Sequence, residues 1–552
     1  MARSLTAAGL SLCFIMNYVM AFSGKQSSRK QLQAIVLILV LILQVYLCFT
    51  MRIQLDEPTY SALGYRFATG TQMFVDEWHI SQMFGFLTMP FVWLFMHVTG
   101  STDGVVLLLR FCYLFMSLVT LYLFMKKYGS YPNAFLSGIM ILLFAPLDMM
   151  SLSYNTIGIH ALLQAHCLKD TGKGRSFLAG ILFSCAVLST PYLVILFVGL
   201  FIFGIIHWKH WNGEKKSNSF LFLAGIALMV VLFCIFVFRN ASLSEVINGL
   251  MHLPERNQNH FSSHNPILLM GYRFARGGWE SFGPFIFLQF VAMIIALISH
   301  NQKTQKICNL LGISSVVYFI VREVVEFDFA AVSNLYLPLA LVAFPSMLKE
   351  ERKPLKILYF LFLLDSFFFG YSSNLGLSSF SQALVVSDAA VLLAGNEKVS
   401  KWAALVMVAL TIVLHINFVP AKEGTVLAQG PMKGIRVPDS YADAYTQTVS
   451  FLQAADKVTD SKQYFLVTDS GWQHMLMRNH SSLNFSTFQD TVSKEEYIEL
   501  FNENLRQKKP DRFLLIFSNT YQNLQLEDLD LSGYTVTPLA DRIYLLVRTI
   551  SG

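Results

Sequence analysis

Residues 33–50 read QAIVLILVLILQVYLCFT, with no charged residue, and residues 52–81 continue RIQLDEPTYSALGYRFATGTQMFVDEWHIS. An uncharged apolar run of that length is a helix that crosses a hydrocarbon core of about 30 Å, where every backbone polar group must be bonded internally. The stretch behind it carries four carboxylates, Asp56, Glu57, Asp76 and Glu77, where the chain leaves the membrane. Long apolar runs joined by short polar connections recur over most of the chain, and they give the class: an all-α polytopic membrane protein.

Composition agrees. The 552 residues are 54% hydrophobic and 14% charged, with 48 Phe and a mean hydropathy of +0.50, whereas a soluble domain carries about 25% charged residues. The net charge of +6 comes from Lys and Arg in the short connections, which marks topology rather than a nucleic-acid surface. The seven Cys form no CxxC pair, so neither a disulfide framework nor a zinc ribbon is expected. Walker and dinucleotide fingerprints are absent as well, which argues against a soluble nucleotide donor.

About thirteen spans are predicted, near 33–50, 104–125, 132–149, 151–168, 176–190, 191–207, 219–238, 284–300, 306–321, 332–348, 355–371, 381–395 and 401–419. Seven basic connections, from Lys25/Arg29/Lys30 to Lys398/Lys401, then fall on one side, which the positive-inside rule makes the cytoplasm. Counting 82–99 (QMFGFLTMPFVWLFMHVT) as a crossing would invert every later connection, so it is expected to lie along the outer interface. Residues 5–22 within the N-terminal segment 1–32 are an extra crossing, an interfacial helix or a signal-like segment. The membrane domain is 33–420 with a first outer loop at 51–103; after it, strand-like QYFLVTD and DRFLLIFSN alternate with helix-like stretches, predicting a small extracytoplasmic α/β domain over 421–552.

The acids of the first loop are flanked by Leu55, Pro58, Tyr60, Phe74, Val75 and Trp78, so the loop reads as folded against the bilayer rather than as a hydrated surface. A carboxylate at such an edge is desolvated, its pKa rises, and it can serve as a general base or a metal ligand. His260 and His264 are four residues apart, a spacing that puts two imidazoles on one helical face; with Glu77 they form a candidate divalent-metal site, set against a turn-like reading of NHFSSHNP. In the last domain, Asp469, His474 and His480 lie near a strand end, without the GxSxG elbow that a hydrolase would need.

The run Asp56-Glu57-Pro58-Thr59-Tyr60, the stretch ending Ala68-Thr69-Gly70 and the Pro90-containing helix resemble the first periplasmic loop of lipid A aminoarabinose transferases, and more distantly that of protein O-mannosyltransferases. Both belong to the GT-C class of polyprenyl-phosphate-sugar-dependent glycosyltransferases. Arg110, the turn Asp148–Asn155, the segment from Leu253 through Arg256 to Tyr272, and Tyr336-Leu337-Pro338 are similar to further patches of those families. The likeness covers about 420 residues in outline and only short patches in letters. Where the transferases carry Glu-Lys-Pro-Pro, with a Lys on the donor phosphate, this chain has Asp76-Glu77-Trp78-His79; where their acidic turn ends in Asp, it offers Asn155.

The resemblance implies a sugar transfer from a polyprenyl-phosphate donor to an extracytoplasmic glycan, teichoic acid, lipid or protein, with inversion and with no cofactor required. Asp56 would be the base and Glu57 its orienting neighbour, with Asp76 and Glu77 as a second acidic cluster. Tyr60, His79, Arg110, Asn155, Arg256, Arg273, Arg276 and Arg322 are the candidates for binding donor phosphate or acceptor, arginine because its planar fork pairs with two phosphate oxygens. Arg110 also reads as a side chain snorkelling to the interface, and His79 as an interfacial hydrogen bonder. The outline points to a bacterial cytoplasmic membrane. Two other readings stay open: a lipid-glycan flippase or transporter, and a catalytically silent assembly protein with the same fold.

Overall fold

The computed structural model describes residues 26–53, 56–146, 149–169, 171–253, 266–299, 301–326, 335–373, 376–395, 397–417, 424–457, 463–468, 470–477, 480–481, 494–518 and 524–549. The segment 5–22 lies outside the described residues. Among the described residues, six helices are long and apolar enough to cross a membrane: Lys30–Thr50, Gln82–Thr99, Val105–Tyr128, Leu193–His210, Gly213–Val237 and Lys353–Ser372. The number rises to eight if each of two bent pairs, Gly271–Glu280 with Pro284–Ile298 and Leu377–Ala383 with Val385–Ala394, is one span.

That is fewer than the thirteen expected, and for two of the missing spans the reason is helix length. The apolar stretch 132–149 holds only Ala134–Leu142, nine residues, and 332–348 only Tyr336–Leu348, thirteen. At 1.5 Å per residue these reach about 14 and 20 Å, short of the roughly 30 Å of a hydrocarbon core. Apolarity marks burial from water, and a helix packed inside a bundle is as apolar as one that spans. Gln82–Thr99, expected to lie flat, meets the length and composition of a span and leaves Phe91, Trp93, Leu94 and Val98 exposed.

Bundle helices approach closely where both carry glycine. A Cβ on Gly180 would sit 2.0 Å from the Phe222 carbonyl oxygen, and one on Gly225 2.1 Å from that of Phe177. Helices Lys173–Ser189 and Gly213–Val237 therefore cross backbone to backbone, the close packing that small residues permit in membranes.

The helix of the first loop, Asp56–Ala68, follows from local chemistry. Asp56 and Glu57 lie in its first turn and Arg66 in its last, both favourable to the helix dipole, and Pro58 falls where its missing N–H costs nothing. Every residue from Glu57 to Phe67 is buried, so the loop is folded rather than hydrated. It packs against helices Gly85–Thr99 and Val105–Tyr128 and against the turn Gly471–Leu476 of the last domain.

That domain carries a two-residue ribbon, β1 (Thr425–Val426) with β2 (Arg436–Val437), and a five-stranded mixed sheet in the order β4-β3-β5-β7-β6. Strands β3 (Gln463–Val467), β4 (His480–Ser481) and β5 (Arg512–Phe517) run parallel, while β6 (Tyr534–Ala540) and β7 (Ile543–Arg548) close one edge antiparallel. Alternate residues on a strand face opposite ways. Phe465, Phe513 and Leu515 form a core with Tyr497, Phe501 and Leu505 of helix Lys494–Lys508, whereas Tyr464, Leu466, Leu514 and Ile516 join the core that runs on into the membrane helices. The sheet is thus welded to the bundle by one face.

Candidate functional site

Of the four carboxylates Asp56, Glu57, Asp76 and Glu77, three are each held by a cation. Arg110, a turn and a half into helix Val105–Tyr128, donates from Nε to Glu57 Oε1 and from Nη2 to Glu57 Oε2, both at 2.7 Å, with neither side chain exposed. Its Nη1 donates to the carbonyls of Cys48 and Met51, at 3.0 and 3.1 Å. Carbonyls at a helix C-terminus have no intrahelical partner, and a guanidinium there also suits the dipole. Arg110 therefore ties the end of the first span to the start of the loop helix, and its donors are committed to the protein rather than turned to a donor phosphate.

Arg66 makes the second pair, with Nε 2.9 Å from Glu77 Oε2 and both side chains buried, while its Nη2 donates to the Asp76 carbonyl at 2.9 Å. Glu77 Oε1 also accepts from the His79 N–H at 3.0 Å. The third pair joins Asp76 to Lys508 at the end of the last domain's helix, and Asp76 also accepts from the Gln72 N–H at 3.1 Å. The second acidic cluster is thereby part of the loop's own framework.

Asp56 differs. Among the described residues its carboxylate faces no cation, and its partner is the Tyr60 hydroxyl, which donates to Oδ2 at 3.3 Å. The residue keeps contact with solvent, yet the packed surroundings desolvate the carboxyl and push its pKa up, against a smaller opposing effect of the Tyr60 hydrogen bond. Tyr60 itself is buried, and desolvation together with the nearby Asp56 and Tyr154 holds its phenol protonated well above the usual range. Around it stand Phe84 and Tyr154, each with its ring centroid 5.3 Å away, and His79 at 6.1 Å. Tyr154 extends this aromatic wall to Phe369, at 6.4 Å.

Of the remaining candidates, Asn155 is fully buried beside Tyr154, and neither of its amide atoms makes a hydrogen bond of good geometry among the described residues. His79 accepts from the Ser81 N–H on Nδ1 at 3.1 Å, with its ring edge against Tyr60. Arg273 is half-buried on helix Pro266–Phe282, and Arg276 on the same helix is spent on an exposed pair with Glu280 at 2.8 Å. Arg256, His260, His264, Asp148 and Asp469 lie outside the described residues, as do the side chains of Arg322 and His480. No group of three metal-ligating side chains occurs among the described residues, and Glu77 is engaged by Arg66. His474 is buried, with Nδ1 3.1 Å from the Tyr464 hydroxyl, and braces the sheet.

The last domain closes over the loop. The Tyr65 hydroxyl donates to the Met477 carbonyl, and Thr102 Oγ1 to that of Met475 at 2.7 Å. The Gly430 N–H donates to Asp103 Oδ1 at 2.9 Å, while carbonyls of Gly430 and Pro431 accept from Gly104 and Val106, N–H groups at the start of helix Val105–Tyr128. Orphan donors of that helix are satisfied from the other end of the chain.

Two features escaped the sequence reading. Arg239 donates to the carbonyls of Phe67 and Thr71, at 3.2 and 3.0 Å, and so closes the C-terminus of the loop helix. Ionisable residues also lie deep in the bundle. His160 bonds Thr120 Oγ1 at 2.9 Å, and Asp365 and Asp388 are fully buried, Asp388 with neither oxygen hydrogen-bonded among the described residues. Each is a single polar letter inside an apolar run, which leaves no local pattern to read. Comparison of the chain with protein-family models and with curated protein sequences finds no match.

Proposed function

We propose that the chain is a membrane-embedded glycosyltransferase of GT-C type, which moves one sugar from a polyprenyl-phosphate donor to an acceptor at the extracytoplasmic face of a bacterial cytoplasmic membrane. The observation that carries this reading is the isolation of Asp56: its three neighbouring acids are neutralised by Arg110, Arg66 and Lys508, whereas it keeps a desolvated carboxyl bonded only by Tyr60 among the described residues. A carboxylate without a cation, desolvated and reached by solvent on one side, is a stronger base than one in a salt bridge.

In this reaction Asp56 takes the proton of an acceptor hydroxyl as that oxygen bonds to the anomeric carbon. The carbon's bond to the phosphate oxygen breaks, and polyprenyl phosphate leaves with the electron pair, inverting the centre. The aromatic wall of Tyr60, Phe84 and Tyr154 suits a sugar face. Arg273 and His79 are the described candidates for the departing phosphate, which requires cationic or hydrogen-bonding partners. In this reading the last domain shares the outer side with the loop it covers.

The test is to incubate the purified protein with a panel of polyprenyl-phosphate sugars, score thermal stabilisation by each, and then measure transfer. Asp56→Asn is expected to keep the donor-induced stabilisation and to lose transfer. Full transfer by that variant would remove Asp56 from the reaction, and stabilisation by no donor would remove the donor class.

One observation favours a second reading, transport. Asp388 sits just past the 50° bend between Leu377–Ala383 and Val385–Ala394, and Asp365 lies within Lys353–Ser372; buried acids and broken helices are what ion-coupled transporters use. Under that reading Asp388→Asn, rather than Asp56→Asn, abolishes activity in sealed vesicles.

A further inference from the structure

Five residues after span Gly213–Val237 the chain turns into a ten-residue helix, Leu243–His252, closed at its start by a reciprocal cap. Ser242 Oγ accepts from the Glu245 N–H at 3.3 Å, and the Ser242 N–H donates to Glu245 Oε2 at 2.7 Å, satisfying two groups that a helix terminus otherwise leaves open. The Ser242 N–H foremost, and the Ser242 hydroxyl, which donates to the same oxygen at 2.7 Å, hold the Glu245 carboxyl below its usual range.

At 100° per residue the helix divides into three sectors. Val246 and Gly249 form the first and are buried against the protein; Gly249 touches the first loop so closely that a Cβ there would lie 1.9 Å from the Phe74 carbonyl oxygen. Leu243, Ile247, Leu250 and Met251 form the second, within an arc of about 100°, and all four are exposed. Ser244, Glu245 and Asn248 form the third, exposed and polar. A helix meeting water alone has no use for the second sector, and a helix inside a bundle has none for the third.

The second sector continues a lipid-facing surface, because Val230, Val231, Leu232 and Ile235 at the end of the preceding span are exposed too. With five residues between them, the span's end and the short helix stand at the same depth, the level of the lipid headgroups. We infer that Leu243–His252 lies in the plane of the membrane surface, with Leu243, Ile247, Leu250 and Met251 in the lipid and Ser244, Glu245 and Asn248 in water, and that through Gly249 and Phe74 it fixes the height of the acidic loop above the bilayer. The anchor holds whatever reaction the loop performs.

The experiment uses the full chain in phospholipid vesicles, with the exposed, free Cys234 replaced by alanine and a single new cysteine carrying an environment-sensitive fluorophore. At Ile247→Cys the emission is expected to be shifted to the blue, quenched by lipids bearing a nitroxide near the headgroup, and protected from aqueous iodide. At Ser244→Cys iodide is expected to quench and the lipid nitroxide to have little effect. Quenching of the 247 probe by iodide as strong as that at 244 would place the sector in water and overturn the inference. Protection of the 247 probe from both quenchers would mean a protein partner or a second copy covers it, and would overturn it equally.

Discussion

Arg110 and Glu57 are joined by two parallel hydrogen bonds of 2.7 Å, and neither side chain reaches solvent. The pair fastens the first turn of the loop helix to the next span, and the same guanidinium holds the end of the span before it. The carboxylate of Glu57 is thereby spent on holding the loop helix to the helices on either side of it.

Removing one member of such a pair strands the other as a buried charge, which costs about 3–5 kcal/mol, whereas replacing both by apolar residues of similar size is often close to neutral. Glu57→Gln and Arg110→Met are therefore each expected to lower the unfolding midpoint strongly, and Glu57→Met with Arg110→Met less than either alone. Thermal unfolding of the purified variants checks this, and equal losses in all three would mean the pair is not coupled.

Asp56 gives a signed pH dependence. As the base of the proposed transfer Asp56 must be ionised, so its raised pKa is expected to place the acid limb of that activity above the ordinary carboxylate range. Tyr60→Phe deletes the donor that favours the ionised form, and the limb is expected to move to still higher pH. For stability the sign is opposite: the folded state holds this proton longer than the unfolded chain does, so the contribution is full below the unfolded value of about 3.9 and is lost as pH rises through the folded one. Rate-against-pH profiles of both forms provide the measurement, and a limb that does not move would separate Tyr60 from Asp56.

Lys508 and Asp76 are each partly exposed, so their pair is worth about 0.2–1 kcal/mol. Lys508→Ala is expected to leave the unfolding midpoint almost unchanged and to raise amide hydrogen exchange in 71–77, where the last domain stops bracing the loop. Unchanged exchange there would show that the contacts of Tyr65 and Thr102 suffice.

At the crossing of Lys173–Ser189 with Gly213–Val237, the obstacle to a side chain is a backbone carbonyl on the facing helix, which cannot rotate away as a rotamer can. Gly180→Leu is expected to force the helices apart and cost about 1–3 kcal/mol or more, read as unfolding at lower denaturing detergent. Gly199→Leu, where a Cβ would meet nothing within 4 Å, is the control expected to be silent.

Neighbouring letters were enough for the membrane class, for a folded acidic loop and for a sheet after 420: hydropathy over a helix length, apolar residues flanking the acids, and strand-like runs such as QYFLVTD. The helix count was not legible, since Ala134–Leu142 and Tyr336–Leu348 are as apolar as spans and differ only in where hydrogen bonding stops. Nor could the letters say which of four acids would be left without a cation. Glu57 and its Arg110 are 53 positions apart, and Asp76 and its Lys508 are 432 apart; Coulomb attraction depends on distance in space, and that distance exists only once the chain has folded.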